Sequence, residues 1–121
     1  MNTRREKSNP RLTTLITLLR DTSRENQVAI WRDIAERLEG SCTRYAEVNV
    51  SKINRYAANG ETVLIPGKVL GSGVLERQVN VAALTFSASA SAKINGASGR
   101  CMTIEELVQS NPKGSQVRIL R

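Results

Sequence analysis

Apolar residues recur at helical spacing early in the chain and give way to short extended runs after about residue 45. Asn9-Pro10 supplies a cap and a first-turn proline ahead of Leu12, Leu15, Ile16 and Leu19, with Leu18 widening the stripe. The spacing predicts an amphipathic helix ending near Asp21 to Ser23. A second helix is predicted from about Gln27 to Leu38, with Trp31, Ile34, Ala35 and Leu38 on one face. Its other face carries Arg32, Asp33, Glu36, Arg37 and Glu39, and Gly40 stands where a left-handed helix terminus is wanted.

The later elements are shorter. Glu47 to Val50 alternates as an extended piece, and Lys52 to Ala57 reads as a short helix stopped by Asn59-Gly60. Thr62 to Ile65 is a β-branched strand ended by Pro66-Gly67, and Lys68 to Leu70 a separate extended piece before the turn Gly71-Ser72-Gly73. Val79 to Leu84 reads as a buried strand, and Ser87 to Ile94 as a Ser-capped helix ending before Asn95-Gly96. Thr103-Ile104-Glu105-Glu106 is a capping box, Asn111-Pro112 stops the helix it opens, and Val117 to Leu120 is a final strand. Short strands alternating with short helices after a helical start predict a small α/β domain.

Composition adds a constraint and a direction. The chain has 121 residues and only four aromatic ones, Trp31, Tyr45, Tyr56 and Phe86, so its core must rest on Leu, Ile, Val and Ala. The formal charge is +7, which points to a polyanionic partner. The excess is uneven. Residues 1–20 hold Arg4, Arg5, Lys7, Arg11 and Arg20 against Glu6; Arg44, Lys52 and Arg55 face only Glu47; and the last eleven residues hold Lys113, Arg118 and Arg121 with no acid. Arg outnumbers Lys, which favours phosphate recognition through the planar guanidinium fork.

Candidate chemistry thins out on inspection. With no His, the usual general base and most zinc sites are excluded. Cys42 and Cys101 form no ligand pair and are expected as reduced thiols. Gly67, Gly71 and Gly73 match neither a dinucleotide fingerprint nor a P-loop and are expected to serve tight turns. Glu105 and Glu106 are adjacent and suit capping rather than acid–base work. Tyr45 and Tyr56 are expected buried or half-buried, and Trp31 in the core. The basic start followed by Leu12 to Leu19 lacks a cleavage site, so export is not expected. No enzyme activity, cofactor, metal or small-molecule substrate is expected, and no membrane association. RNA is favoured over DNA because no helix offers a dense basic face for a major groove.

Several runs, taken in order and spacing, carry a resemblance. They are Asn9-Pro10-Arg11-Leu12, Arg44 to Val50, Ile65 to Leu75, and Asn111 to Ser115 with Val117-Arg118-Ile119. Together they resemble the archaeal and eukaryotic large-subunit ribosomal protein family "L-eighteen-e", related in fold to the universal ribosomal protein L-fifteen. The resemblance runs from about Asn9 to Arg121, and the short length is similar to archaeal members. It implies N-terminal helices followed by an irregular superhelix of short strand–strand–helix units. It also implies a cytoplasmic, ribosome-bound structural role, with large-subunit rRNA and neighbouring ribosomal proteins as partners. Residues 1–8 are then a basic tail and 9–121 one domain. Cys42 and Cys101 are not residues associated with the family. The alternative is a free RNA- or DNA-binding regulatory or chromatin protein.

The expected RNA contacts are Arg4, Arg5, Lys7, Arg11, Arg44, Lys52, Arg55, Lys68, Lys113, Arg118 and Arg121. Lys68 is placed in a Pro-Gly-Lys turn whose glycine would let backbone approach a phosphate. Arg32 and Arg37, among acids, are expected to be solvated or paired within their helix.

Overall fold

The computed structural model describes residues 9–40 and 45–121. Helix α1 spans Pro10–Asn26 and opens as the sequence predicts: Asn9 Oδ1 accepts the N–H groups of Arg11 (3.0 Å) and Leu12 (3.3 Å). It outlasts its predicted end because the inward stripe of Leu15 and Leu19 continues through buried Thr22. Helix α2, Ala29–Glu39, folds back on it and buries Trp31, Ile34, Ala35 and Leu38.

The left-handed residue of this hairpin is Gln27 (φ 57°), whose N–H closes on the Ser23 carbonyl and ends α1. Gly40, expected to play that part for α2, is extended at φ −74° and ψ −173°. The second helix needs no such turn because the Tyr45 hydroxyl donates to the Leu38 carbonyl at 2.8 Å, satisfying one of its terminal acceptors.

The remainder alternates: β1 (Ala46–Asn49), α3 (Val50–Tyr56), β2 (Thr62–Leu70), β3 (Asn80–Phe86), α4 (Ala88–Gly96), β4 (Arg100–Thr103), α5 (Ile104–Ser110) and β5 (Val117–Ile119). The strands form one five-stranded sheet in the order β1-β2-β3-β4, with β5 also on β2, and every pairing is parallel. On the edge of β2 opposite β3, β5 pairs with Thr62–Leu64 and β1 with Gly67–Leu70. The α/β reading with N-terminal helices therefore holds.

The sheet is covered on both faces. Val63, Ile65, Val69, Val81 and Ala83 cluster with Val50 and Ile53 of α3 and Ala90 and Ile94 of α4. Leu64 and Ala82 cluster with α1, α2 and α5 through Leu15, Leu19, Trp31, Ile104 and Leu107. Burial on two faces explains the near-continuous apolar run in β2.

One reading of the sheet needs correction, and one strand was not foreseen. Pro66-Gly67 does not end a strand; β2 runs through it. Pro66 is tolerated because it lies where the β3 register shifts, between Ile65 and Lys68, and in the gap between β5 and β1, so no ladder bond needs its missing N–H. Strand β4, Arg100–Thr103, was hidden by its length and its lack of β-branched residues other than Thr103. The cap of α4 by Ser87 and the box of α5 stand as read: Thr103 N donates to Glu106 Oε1 (2.8 Å), and Glu106 N to Thr103 Oγ1 (3.1 Å).

Candidate nucleic-acid interface

Val50 and Ile53 anchor α3 in the core, which turns Lys52, Arg55 and Tyr56 outward. Tyr56 is 50% exposed, at the open end of the half-buried state expected of it, and the Arg55 guanidinium lies over its ring, 6.0 Å from the centroid. Three asparagines spaced five apart hold the strandless segment 71–79 against this helix. Asn49, Asn54 and Asn59 accept the backbone N–H groups of Ser72 (3.2 Å), Glu76 (2.9 Å) and Gln78 (2.9 Å) through their side-chain oxygens. That segment brings in Arg77, which donates to the Ala57 carbonyl at 3.0 Å.

The C-terminal strand reaches the same region. Lys52 Nζ donates to the main-chain oxygen of Arg121. Arg118 grips Glu61 with Nε and Nη2, each at 3.1 Å from an oxygen, while Glu61 Oε1 also accepts the Ala58 N–H at 2.9 Å. Arg118, then the Ala58 N–H, holds the Glu61 carboxyl below its usual value. Lys52, Arg55, Arg77, Arg118 and Arg121 thus lie along α3 and on the segments bonded to it, with Glu61 already paired by Arg118. Lys113 is exposed in the turn before β5, which Asn111 closes by bonding Ser115 from both ends of its amide.

A second basic rim lies where α1 meets the sheet. Arg11 Nη1 donates to the Leu84 carbonyl (2.9 Å), and its Nε (2.9 Å) and Nη2 (3.1 Å) donate to Glu105. Lys68 is exposed on the same sheet and makes no ion pair among the described residues. It lines a depression of about 440 Å³ with Tyr45, Glu47, Leu84 and Thr85. Lys68 does not sit in a turn, as the sequence reading had it. It is a strand residue, and Gly67 is required by its neighbour strand, since a Cβ there would lie 2.0 Å from the Ala46 carbonyl oxygen.

Arg4, Arg5, Lys7, Arg44 and Cys42 lie outside the described residues. Their chain neighbours are informative: Asn9 caps the helix that carries Arg11, and Tyr45 lines the Lys68 depression.

The glycine turn is no phosphate cradle. Its carbonyls at Gly71 and Gly73 each accept from Lys93 Nζ at 2.6 Å, and Ser72 accepts from the Ser51 N–H. Gly73 adopts φ +95°, so the expected turn role holds. Arg32 and Arg37 make no ion pair among the described residues, and Arg20 closes the α1–α2 hairpin by pairing with Glu39. Cys101 is a free thiol; burial raises its pKa, partly offset by its contact with Ser91. Among the described residues no helix is long and apolar enough to cross a membrane.

Sequence reasoning missed Arg77. The regular Asn49, Asn54, Asn59 spacing was the available signal, since amides placed that way beside a segment without periodicity can bind its backbone.

The family model described as "Ribosomal protein 60S L18 and 50S L18e" matches residues 1–121. The "Large ribosomal subunit protein eL18" of Methanosphaerula palustris is 67% identical over 121 residues, covering 100% of each chain. Its namesake in Archaeoglobus fulgidus is 54% identical over 94% of this chain and 97% of its own. That of Halobacterium salinarum is 48% identical over 95% and 98%. With the whole length matched and the α/β body in place, the chain belongs to the ribosomal protein family of 60S L18 and 50S L18e.

Proposed function

We propose that the chain is a structural constituent of the large ribosomal subunit and that it binds large-subunit rRNA through two basic areas of its surface. Family membership over residues 1–121 is the observation that carries the reading. The geometry supports it by leaving cations outward. One area is the end of α3, with Arg55, Arg77 and Arg121. The other is the Lys68 rim; Arg4, Arg5, Lys7 and Arg44 are counted as RNA contacts on their charge alone. Lys113, exposed in the turn before β5, adds a further cation. Arg11 and Arg118 contribute less, because carboxylates already hold them. Neighbouring ribosomal proteins and a cytoplasmic, ribosome-bound location follow from the same reading.

Sedimentation tests it. The protein should travel with large subunits and resist moderate salt washing, because several phosphate contacts must break together. A protein found mostly free at normal ribosome levels would sink the reading. In isolation, neutralising about five to eight phosphates on mostly duplex RNA gives a slope of log K against log salt of roughly −4 to −7.

A further inference from the structure

We propose that Tyr56, backed by Arg55, is a stacking platform for one unpaired RNA base, with Lys52 and Arg77 placed to hold the flanking phosphates. The inference rests on the RNA-binding reading above and specifies the kind of RNA the α3 area takes.

Four aromatic residues occur in the chain, and three are used inside it. Trp31 is fully buried and donates its Nε1–H to the Pro112 carbonyl; Tyr45 bonds the Leu38 carbonyl; Phe86 packs against the core. Of the four, Tyr56 is the exposed one, at 50%. An exposed large ring is informative when its surroundings share one chemistry. Here they do. Arg55 lies over the ring, Lys52 is one helical turn back, and Arg77 is bonded to the carbonyl of the next residue. The nearby acids are Glu61, already paired with Arg118, and Glu76. A cationic surface around a planar ring fits a base with its phosphates better than it fits an apolar or basic protein face.

The platform is also rigid. Ile53 and Val50 lock α3 into the core, and Asn54 pins the backbone of Glu76 beside it. A helix already fixed in place spares the platform the cost of ordering its backbone on contact. Paired bases hide their faces inside the helical stack, so the platform discriminates in favour of a bulged, looped or terminal nucleotide.

The test uses the full chain and two RNA hairpins of equal length. One is fully paired; the other carries a single bulged 2-aminopurine, whose fluorescence falls when it stacks on an aromatic ring. The wild-type protein should bind the bulged hairpin about tenfold more tightly than the paired one, within the range of a base–aromatic stack, and should quench the bulged base. Tyr56→Ala should abolish both preference and quenching while affinity for the paired hairpin stays within about twofold; Tyr56→Phe should keep both. Equal wild-type affinity for the two hairpins, an unquenched bulge, or an equal loss on both hairpins in Tyr56→Ala overturns the platform and leaves general RNA binding standing. No binding to either hairpin at low salt overturns the RNA-binding reading itself.

Discussion

Arg11 and Arg55 are the same side chain in two regions, turned to opposite uses. In the seam between α1 and α5, Arg11 directs its donors inward, to Glu105 and to the Leu84 carbonyl. At the end of α3, Arg55 meets a tyrosine ring and makes no ion pair among the described residues. The difference lies in what the neighbouring segment offers. Helix α5 begins with a capping box that engages Glu106, which leaves Glu105 to face α1. The segment packed on α3 is held by asparagine side chains and backbone, so it needs no carboxylate there. A net charge of +7 is therefore a poor measure of the charge a nucleic acid meets. Some cations are part of the fold, and others are left over for a partner.

The comparison breaks first on α3 itself. Its inward Ile53 is fully buried against both strand and helix neighbours, two residues from outward Arg55. Ile53→Ala should destabilise the protein by about 3 kcal/mol through lost burial and the cavity left behind. Arg55→Ala should stay within about 0.5 kcal/mol. Urea unfolding of the two variants measures both. Similar losses would mean that the outer face of α3 supports the fold.

Next comes binding. Replacing Arg55 and Lys68 together with Ala removes two outward cations, so RNA affinity at low salt should fall about tenfold and the salt slope should shrink by about 1 to 2. Arg32→Ala with Arg37→Ala should lower affinity by less than about twofold, since those cations lie among Asp33, Glu36 and Glu39. If the second pair costs as much as the first, the RNA-facing surface includes α2.

These contrasts were only partly legible beforehand. Local signals were reliable: the Asn9 cap, the Leu15 and Leu19 stripe, the Trp31 face and the Thr103 box depend on residues within a turn or two of each other, and the structure keeps them. Non-local effects were not. Pro66 and Gly67 look like a strand end until β5 and β1 are known to divide one edge of β2 between them. Gly40 looks like a left-handed cap until Tyr45 reaches back to Leu38. Among the candidate site residues, the sequence shows where cations cluster along the chain, but pairing across 94 residues for Arg11 and 57 for Arg118 decides which of those charges are already held.

The seam gives a smaller effect. Arg11 is 41% exposed and Glu105 28%, so solvent screens their attraction, but the geometry is bidentate and a carbonyl bond is added. Arg11→Ala should cost about 1 kcal/mol of stability. Its effect on RNA affinity should be below about twofold, because one seam cation is a minor share of the phosphate contacts. A large affinity loss with unchanged stability would move Arg11 from the fold to the interface.

The smallest effect is the response of this seam to acid. Arg11 holds the Glu105 carboxyl below its usual value of 4.5, chiefly by donating to it, while partial burial works the other way. A carboxylate depressed in the folded state binds its proton more weakly there than in the unfolded chain. Its stabilising contribution is therefore complete above about pH 4.5 and is lost as pH falls through the lower folded value. Glu105→Gln cannot lose a charge in that window, so its stability should fall less steeply than the wild type's between about pH 5 and pH 3. Glu61, depressed by Arg118 in the same direction, titrates in both proteins and cancels in the difference. Urea midpoints taken at half-unit pH steps supply the measurement. Parallel curves would show that Glu105 titrates alike in folded and unfolded chains, and that the Arg11 seam is held by the Leu84 carbonyl rather than by charge.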